Sequence, residues 1–122
     1  AMWLDRSVFE TLGGMDESFH TYWEDVDFSF RARRMGIPLV LSEASRILHG
    51  VGKTCHKKAQ YTTYYYQRNR IRFCRRYLSG DQLTRVLDTI GIQLKESRER
   101  LVEKNDRTRI EFIDRVLTEL RA

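Results

Sequence analysis

Glu24, Asp25 and Asp27 follow directly on Tyr22 and Trp23, a short way after the glycine pair Gly13-Gly14. Carboxylates suit sugar hydroxyls or a metal, and an ionised Asp can accept the proton of an alcohol as that alcohol attacks. A Trp beside a carboxylate offers a flat face to the CH groups of a sugar ring at low entropic cost. An ordinary helix start would hold the same acids as a cap and first turn. The neighbouring Tyr22 and Trp23 tip the reading toward a site that holds a sugar. Asp16 and Glu17, earlier in the same stretch, are more simply scaffold for the loop.

Two further places could carry chemistry. His49 follows a short apolar run and precedes Gly50-Val51-Gly52. A His at a strand end beside a flexible loop can ligate a metal through one ring nitrogen. His20 and His56 lack such a setting and read as surface residues. The stretch Tyr64-Tyr65-Tyr66-Gln67-Arg68-Asn69-Arg70 combines Tyr with Arg, with Arg72, Arg75 and Arg76 extending the charge. That combination binds nucleic acid, phosphate or an anionic membrane surface. It equally describes an amphipathic helix with Tyr toward a core and Arg toward water, and composition alone favours this second reading.

The elements that must position these residues are short at first and long later. Asp5 opens a helix bearing Leu4, Val8, Phe9 and Leu12, and Gly13-Gly14 ends it. A second helix starts at Glu24 or Asp25, with acids in its first turn and Arg31, Arg33 and Arg34 in its last, as the helix dipole favours. Gly36 closes it and Pro38 bars continuation. Leu39-Val40-Leu41 and Arg46-Ile47-Leu48 read as two short strands or extended segments. From about Ala59 proline is absent and only Gly80 and Gly91 interrupt the chain. One helix is expected over Gln60–Leu78 with Tyr64, Ile71 and Leu78 on its apolar stripe. A second, capped by Asp81, carries Leu83, Val86, Leu87, Ile90, Leu94 and Leu101. A third starts at Asp106 with Ile110, Ile113, Leu117 and Leu120 on one face. The middle helix approximates a heptad seam, broken at Ser97, that could serve a hairpin or a dimer.

The charge follows the same division. Residues 1–52 hold five Lys/Arg against eight Asp/Glu, and residues 53–122 hold seventeen against nine, for the overall +5. No run of about 18 apolar residues or N-terminal signal pattern is present. Cys55 and Cys74 lack metal-type spacing and read as reduced, cytosolic thiols. The basic residues are interleaved with acids and match no nucleic-acid motif, so nucleic acid is not an expected partner.

Taken in order, several motifs resemble the C-terminal half of the catalytic domain of family 2 glycosyltransferases, especially the bacterial rhamnosyltransferase-like group. They are Arg6, Gly13-Gly14-Met15-Asp16-Glu17, Tyr22-Trp23-Glu24-Asp25-Val26-Asp27-Phe28-Ser29-Phe30-Arg31, Arg34-Met35-Gly36, His49 with Gly52, and Tyr66-Gln67-Arg68-Asn69. The resemblance covers about residues 3–73; residues 80–122 carry none of its motifs.

The resemblance implies a GT-A fold, a Rossmann-like α/β domain that moves a sugar from a nucleotide diphosphate sugar to an acceptor hydroxyl with inversion. It implies Asp25 as the base, Trp23 and Glu24 as the acceptor wall, and His49 in the shell of a divalent metal, Mg2+ or Mn2+. It sets Arg68 and Asn69 where a helix or lid approaches the donor diphosphate. The family's first strands, nucleotide pocket and Asp-x-Asp motif have no counterpart here. The expected fold class is therefore an α/β fragment, mostly helical: residues 1–58 as the C-terminal part of a GT-A domain and residues 59–122 as a basic helical region. Such a fragment should be inactive alone. Its parent would act in the cytoplasm, or at the inner face of the membrane against an anionic surface, on a glycan or lipid-linked acceptor in cell-surface polysaccharide or glycolipid synthesis. An incomplete core would leave apolar surface and favour a homo-oligomer. The alternative is a non-catalytic helical module for self-association or interaction.

Overall fold

Asp5 accepts a hydrogen bond from the Ser7 N–H at 2.8 Å and caps α1, Arg6–Thr11. The computed structural model that shows this describes residues 2–48, the backbone of 59–61 and residues 62–122. Gly13 and Gly14 end α1 in the left-handed region, at φ 72° and 77°. Gly14 is required twice over, because an added Cβ would also lie 3.2 Å from the Phe9 ring. A 3-10 turn at Glu17–Phe19 follows, capped by Asp16, and fully buries Phe19. Then comes α2, Glu24–Arg34, with the expected acids first and arginines last. Phe9 of α1 packs on Phe28 of α2, ring centroids 6.0 Å apart.

Beyond Gly36 the expected strands do not form. No strand exists among the described residues, and 37–48 is irregular with one turn. The Rossmann-like part of the expected fold class is thus absent from the described residues. The physical reason is the lack of a pairing partner among the described residues: Leu39, Val40, Leu41, Ile47 and Leu48 are all exposed, and a strand without a neighbour leaves its backbone groups to water.

The chain divides into two compact units, residues 1–53 and 54–122. The second is built from α3 (Ala59–Tyr77), α4 (Gly80–Glu103) and α5 (Arg107–Arg121), each packed on the other two. Its core draws Tyr64, Ile71 and Cys74 from α3, Ile90 and Leu94 from α4, and Ile113 and Val116 from α5. Each wholly buried Ile contributes about 1.5–3 kcal/mol of apolar transfer. The α4 seam is used inside this unit, since Leu83, Val86, Leu87 and Leu101 pack against the same core. Ser97, which breaks the seam, returns its hydroxyl to the Gln93 carbonyl at 2.7 Å. The cap of α4 is Ser79 rather than Asp81, while Asp106 caps α5 as expected by accepting from the Arg109 N–H.

Some of the basic side chains tie these helices together. Arg75 donates to the carbonyls of Glu119 and Leu120 at 3.2 and 3.0 Å, satisfying the open C-terminus of α5 and complementing its dipole. Arg98 pairs with Asp114 at 2.6 Å, and Arg70 donates to Gln93 at 2.9 Å. None of the described helices is long and apolar enough to cross a membrane.

Candidate active site

The loop entering α2 is conformationally costly. His20, Tyr22 and Trp23 all have positive φ, at 57°, 64° and 76°. Such backbone costs about 1–3 kcal/mol per residue and collects where geometry serves function. Trp23 occupies the N-cap position in a left-handed conformation, with no side-chain cap bond. Glu24, Asp25 and Asp27 all lie in the first turn of α2, at the positive end of its dipole.

The three acids have different surroundings. Asp27 is fully buried and accepts from Arg31 Nε at 2.8 Å, one turn along. The same guanidinium donates to the Leu12 carbonyl at 2.5 Å and the Gly14 carbonyl at 2.8 Å. Asp27 and Arg31 thus lock the glycine turn onto α2 and are scaffold. Sequence reasoning placed both in a motif without separating this role; the i,i+4 spacing of Asp and Arg was the available signal.

Asp25 is exposed. One of its oxygens accepts from the Val26 N–H at 2.8 Å, and the other has no partner among the described residues. It borders a shallow groove of about 330 Å3 lined also by Val26, Ser29, Phe30, Arg33 and Leu39. Asp25, Ser29 and Arg33 recur at intervals of four and share one face of α2. An apolar wall, a hydroxyl and a cation thus surround an accessible carboxylate. Ser29 and Arg33 were legible from that spacing and were missed.

Trp23 and Glu24 do not line this groove. Trp23 is half-buried. Glu24 is also half-buried, and its Oε2 is enclosed without a hydrogen-bond partner among the described residues. His49 and the Gly50-Val51-Gly52 loop lie outside the described residues. Among those described, no three His, Cys, Asp or Glu side chains converge as a metal site would need. The described residues thus do not by themselves make a metal shell.

Arg68 and Asn69 are consecutive on α3 but differ in setting. Arg68 is about one-third exposed, with Nε 3.9 Å from Glu119 Oε2. Asn69 is fully buried.

An exposed carboxylate at a helix start, beside a groove lined by apolar side chains, Ser29 and Arg33, can accept a hydrogen bond from a hydroxyl. Known proteins similar to this chain come from glycan biosynthesis. It is 38% identical over 48 residues to the low-salt glycan biosynthesis hexosyltransferase of Haloferax volcanii, a match covering 39% of this chain and 16% of that protein. It is 39% identical over 46 residues to an O-antigen biosynthesis protein of Myxococcus xanthus, covering 38% of this chain and 4% of that protein. The matches thus span a small part of each relative's length. No protein-family model matches the chain, and no solved structure does.

Proposed function

We propose that this chain is part of an inverting glycosyltransferase of the GT-A, family 2 type, which moves a sugar from a nucleotide diphosphate sugar to an acceptor hydroxyl. The observation that carries the reading is the accessible Asp25 carboxylate at the start of α2, facing the groove with Ser29 and Arg33. Similarity to a hexosyltransferase and an O-antigen biosynthesis protein supports sugar transfer as the chemistry.

In this reading the acceptor hydroxyl lies against Asp25. As its oxygen forms a bond to the anomeric carbon, its proton passes to the carboxylate and the bond to the donor diphosphate breaks. The half-buried Trp23 and Glu24 shape the acceptor side. His49 would join the shell of a divalent metal, and Arg68 would serve the donor diphosphate, with Asn69, buried behind it, acting only through its packing in α3. The exposed apolar residues of 37–48 pair with strands outside the chain, or with a second copy of it. The acceptor is a glycan or lipid-linked glycan, handled in the cytoplasm or at the inner face of a membrane. Exchanging Asp25 for Asn in the protein that contains this chain, with transfer and donor binding measured separately, tests the assignment.

A further inference from the structure

Where α3 and α5 meet, a cleft of about 480 Å3 is lined by Tyr64, Tyr65, Arg68, Phe112, Arg115 and Glu119. The Arg115 guanidinium sits 4.5 Å from the Tyr64 ring centroid, and that of Arg68 sits 5.9 Å from the Tyr65 ring. Glu119 lies between them. Its Oε1 accepts from the Tyr64 hydroxyl at 2.6 Å. Arg115 Nε is 3.8 Å from Oε1, and Arg68 Nε is 3.9 Å from Oε2. Both separations exceed hydrogen-bond length. One carboxylate therefore offsets part of two positive charges without taking up their N–H donors. Neither guanidinium donates a hydrogen bond to any described residue.

Two guanidiniums with open donors in a cleft of net positive charge fit an oxyanion. The rings say what carries it. Tyr64 and Tyr65 are inclined at 80°, and Tyr64 and Phe112 at 51°. Guanidiniums already lie over the two Tyr rings. Neither of these pairs forms a parallel slot for a flat base, whereas inclined walls suit the CH groups of a saturated ring. Glu119 Oε2, without a hydrogen bond, can accept from a ring hydroxyl. We infer that this cleft binds a sugar carrying one anionic group, either a sugar phosphate or a uronate. The site shares Arg68 with the transferase reading and does not depend on Asp25.

Chemical-shift titration of the isotope-labelled 122-residue chain tests this, with glucose 1-phosphate, glucuronate, glucose, inorganic phosphate and uridine diphosphate each taken to ~10 mM. Saturable shifts around 64–68 and 112–119 with glucose 1-phosphate, glucuronate or both are expected, and the stronger binder identifies the anion. Glucose and phosphate alone should bind about tenfold more weakly. Arg115→Gln, at a side chain 65% exposed, should weaken binding about fivefold with helical content unchanged. If that variant fails to fold, Arg115→Lys, which keeps the charge and loses the fork, should show a smaller loss in the same direction. Absence of shifts, phosphate binding as tightly as its sugar ester, or indifference to both substitutions would overturn the inference and leave the Asp25 assignment standing. Uridine diphosphate reproducing the shifts while neither sugar acid binds would also overturn it, and would favour the donor-diphosphate role of Arg68.

Discussion

Arg31 holds the buried Asp27 carboxylate at 2.8 Å while its other two nitrogens grip the carbonyls of Leu12 and Gly14. One side chain thereby fixes the glycine turn, the costly aromatic loop after it and the start of α2 in one arrangement. Replacing Arg31 by Met removes the ion pair of a buried carboxylate and the donors to two carbonyls, and should destabilise residues 1–53 by about 3 kcal/mol. Arg31→Lys should recover only part of this, because an ammonium cannot span three acceptors as a planar fork does. Hydrogen exchange at residues 12–28, set against exchange in α4, would measure both.

Burial, reinforced by the hydrogen bond to Glu119, raises the Tyr64 phenol above its ordinary value of 10.0. With a raised native value, the unfolded chain ionises first. The contribution of Tyr64 is therefore complete below about pH 10 and is lost as pH climbs through the native value. Tyr64→Phe should cost about 1 kcal/mol at neutral pH, and the two proteins should converge in stability above pH 10. Denaturant unfolding at several alkaline pH values provides the check.

Gly91 is buried in α4, and a Cβ there would lie 3.2 Å from Leu120 Cδ2 of α5. Ala gains about 1 kcal/mol of helix propensity against that contact. Gly91→Ala should therefore change stability by less than about 1 kcal/mol, since the far end of a Leu can move. Gly91→Leu cannot be absorbed that way and should cost about 1–3 kcal/mol. Thermal unfolding followed by helical circular dichroism distinguishes the two.

Burial also pushes the Cys74 thiol up. In a Cys55→Ser background, Cys74 should resist alkylation in the folded chain and react at the rate of unfolding or local opening. Rapid labelling under native conditions would show that the packing of α3 against the core is looser than described.

The helices were legible because each kind of signal agreed with the next. Caps at Asp5 and Asp106, breaks at Gly13-Gly14 and Gly36, and the apolar spacing of Tyr64, Ile71, Ile90, Leu94 and Ile113 all marked the elements found. The strands were not, because Leu39-Val40-Leu41 and Ile47-Leu48 are apolar runs that find no pairing partner among the described residues. Asp25 was legible as one of the acids that open α2. Its separation from Asp27 was not, since only packing shows that one is exposed and the other sealed under Arg31. The Arg115 and Glu119 cleft was hidden for a similar reason. Its residues are about 50 positions apart and converge only when α3 lies against α5.

The central claim is that Asp25 takes the proton of an acceptor hydroxyl. Its most direct test is single-turnover sugar transfer by the protein containing this chain, wild type against Asp25→Asn, with donor affinity measured in parallel. Loss of the acid–base contribution predicts a drop of about 10²–10⁴-fold in the chemical step with donor affinity unchanged. Transfer within a few-fold of wild type would contradict the account.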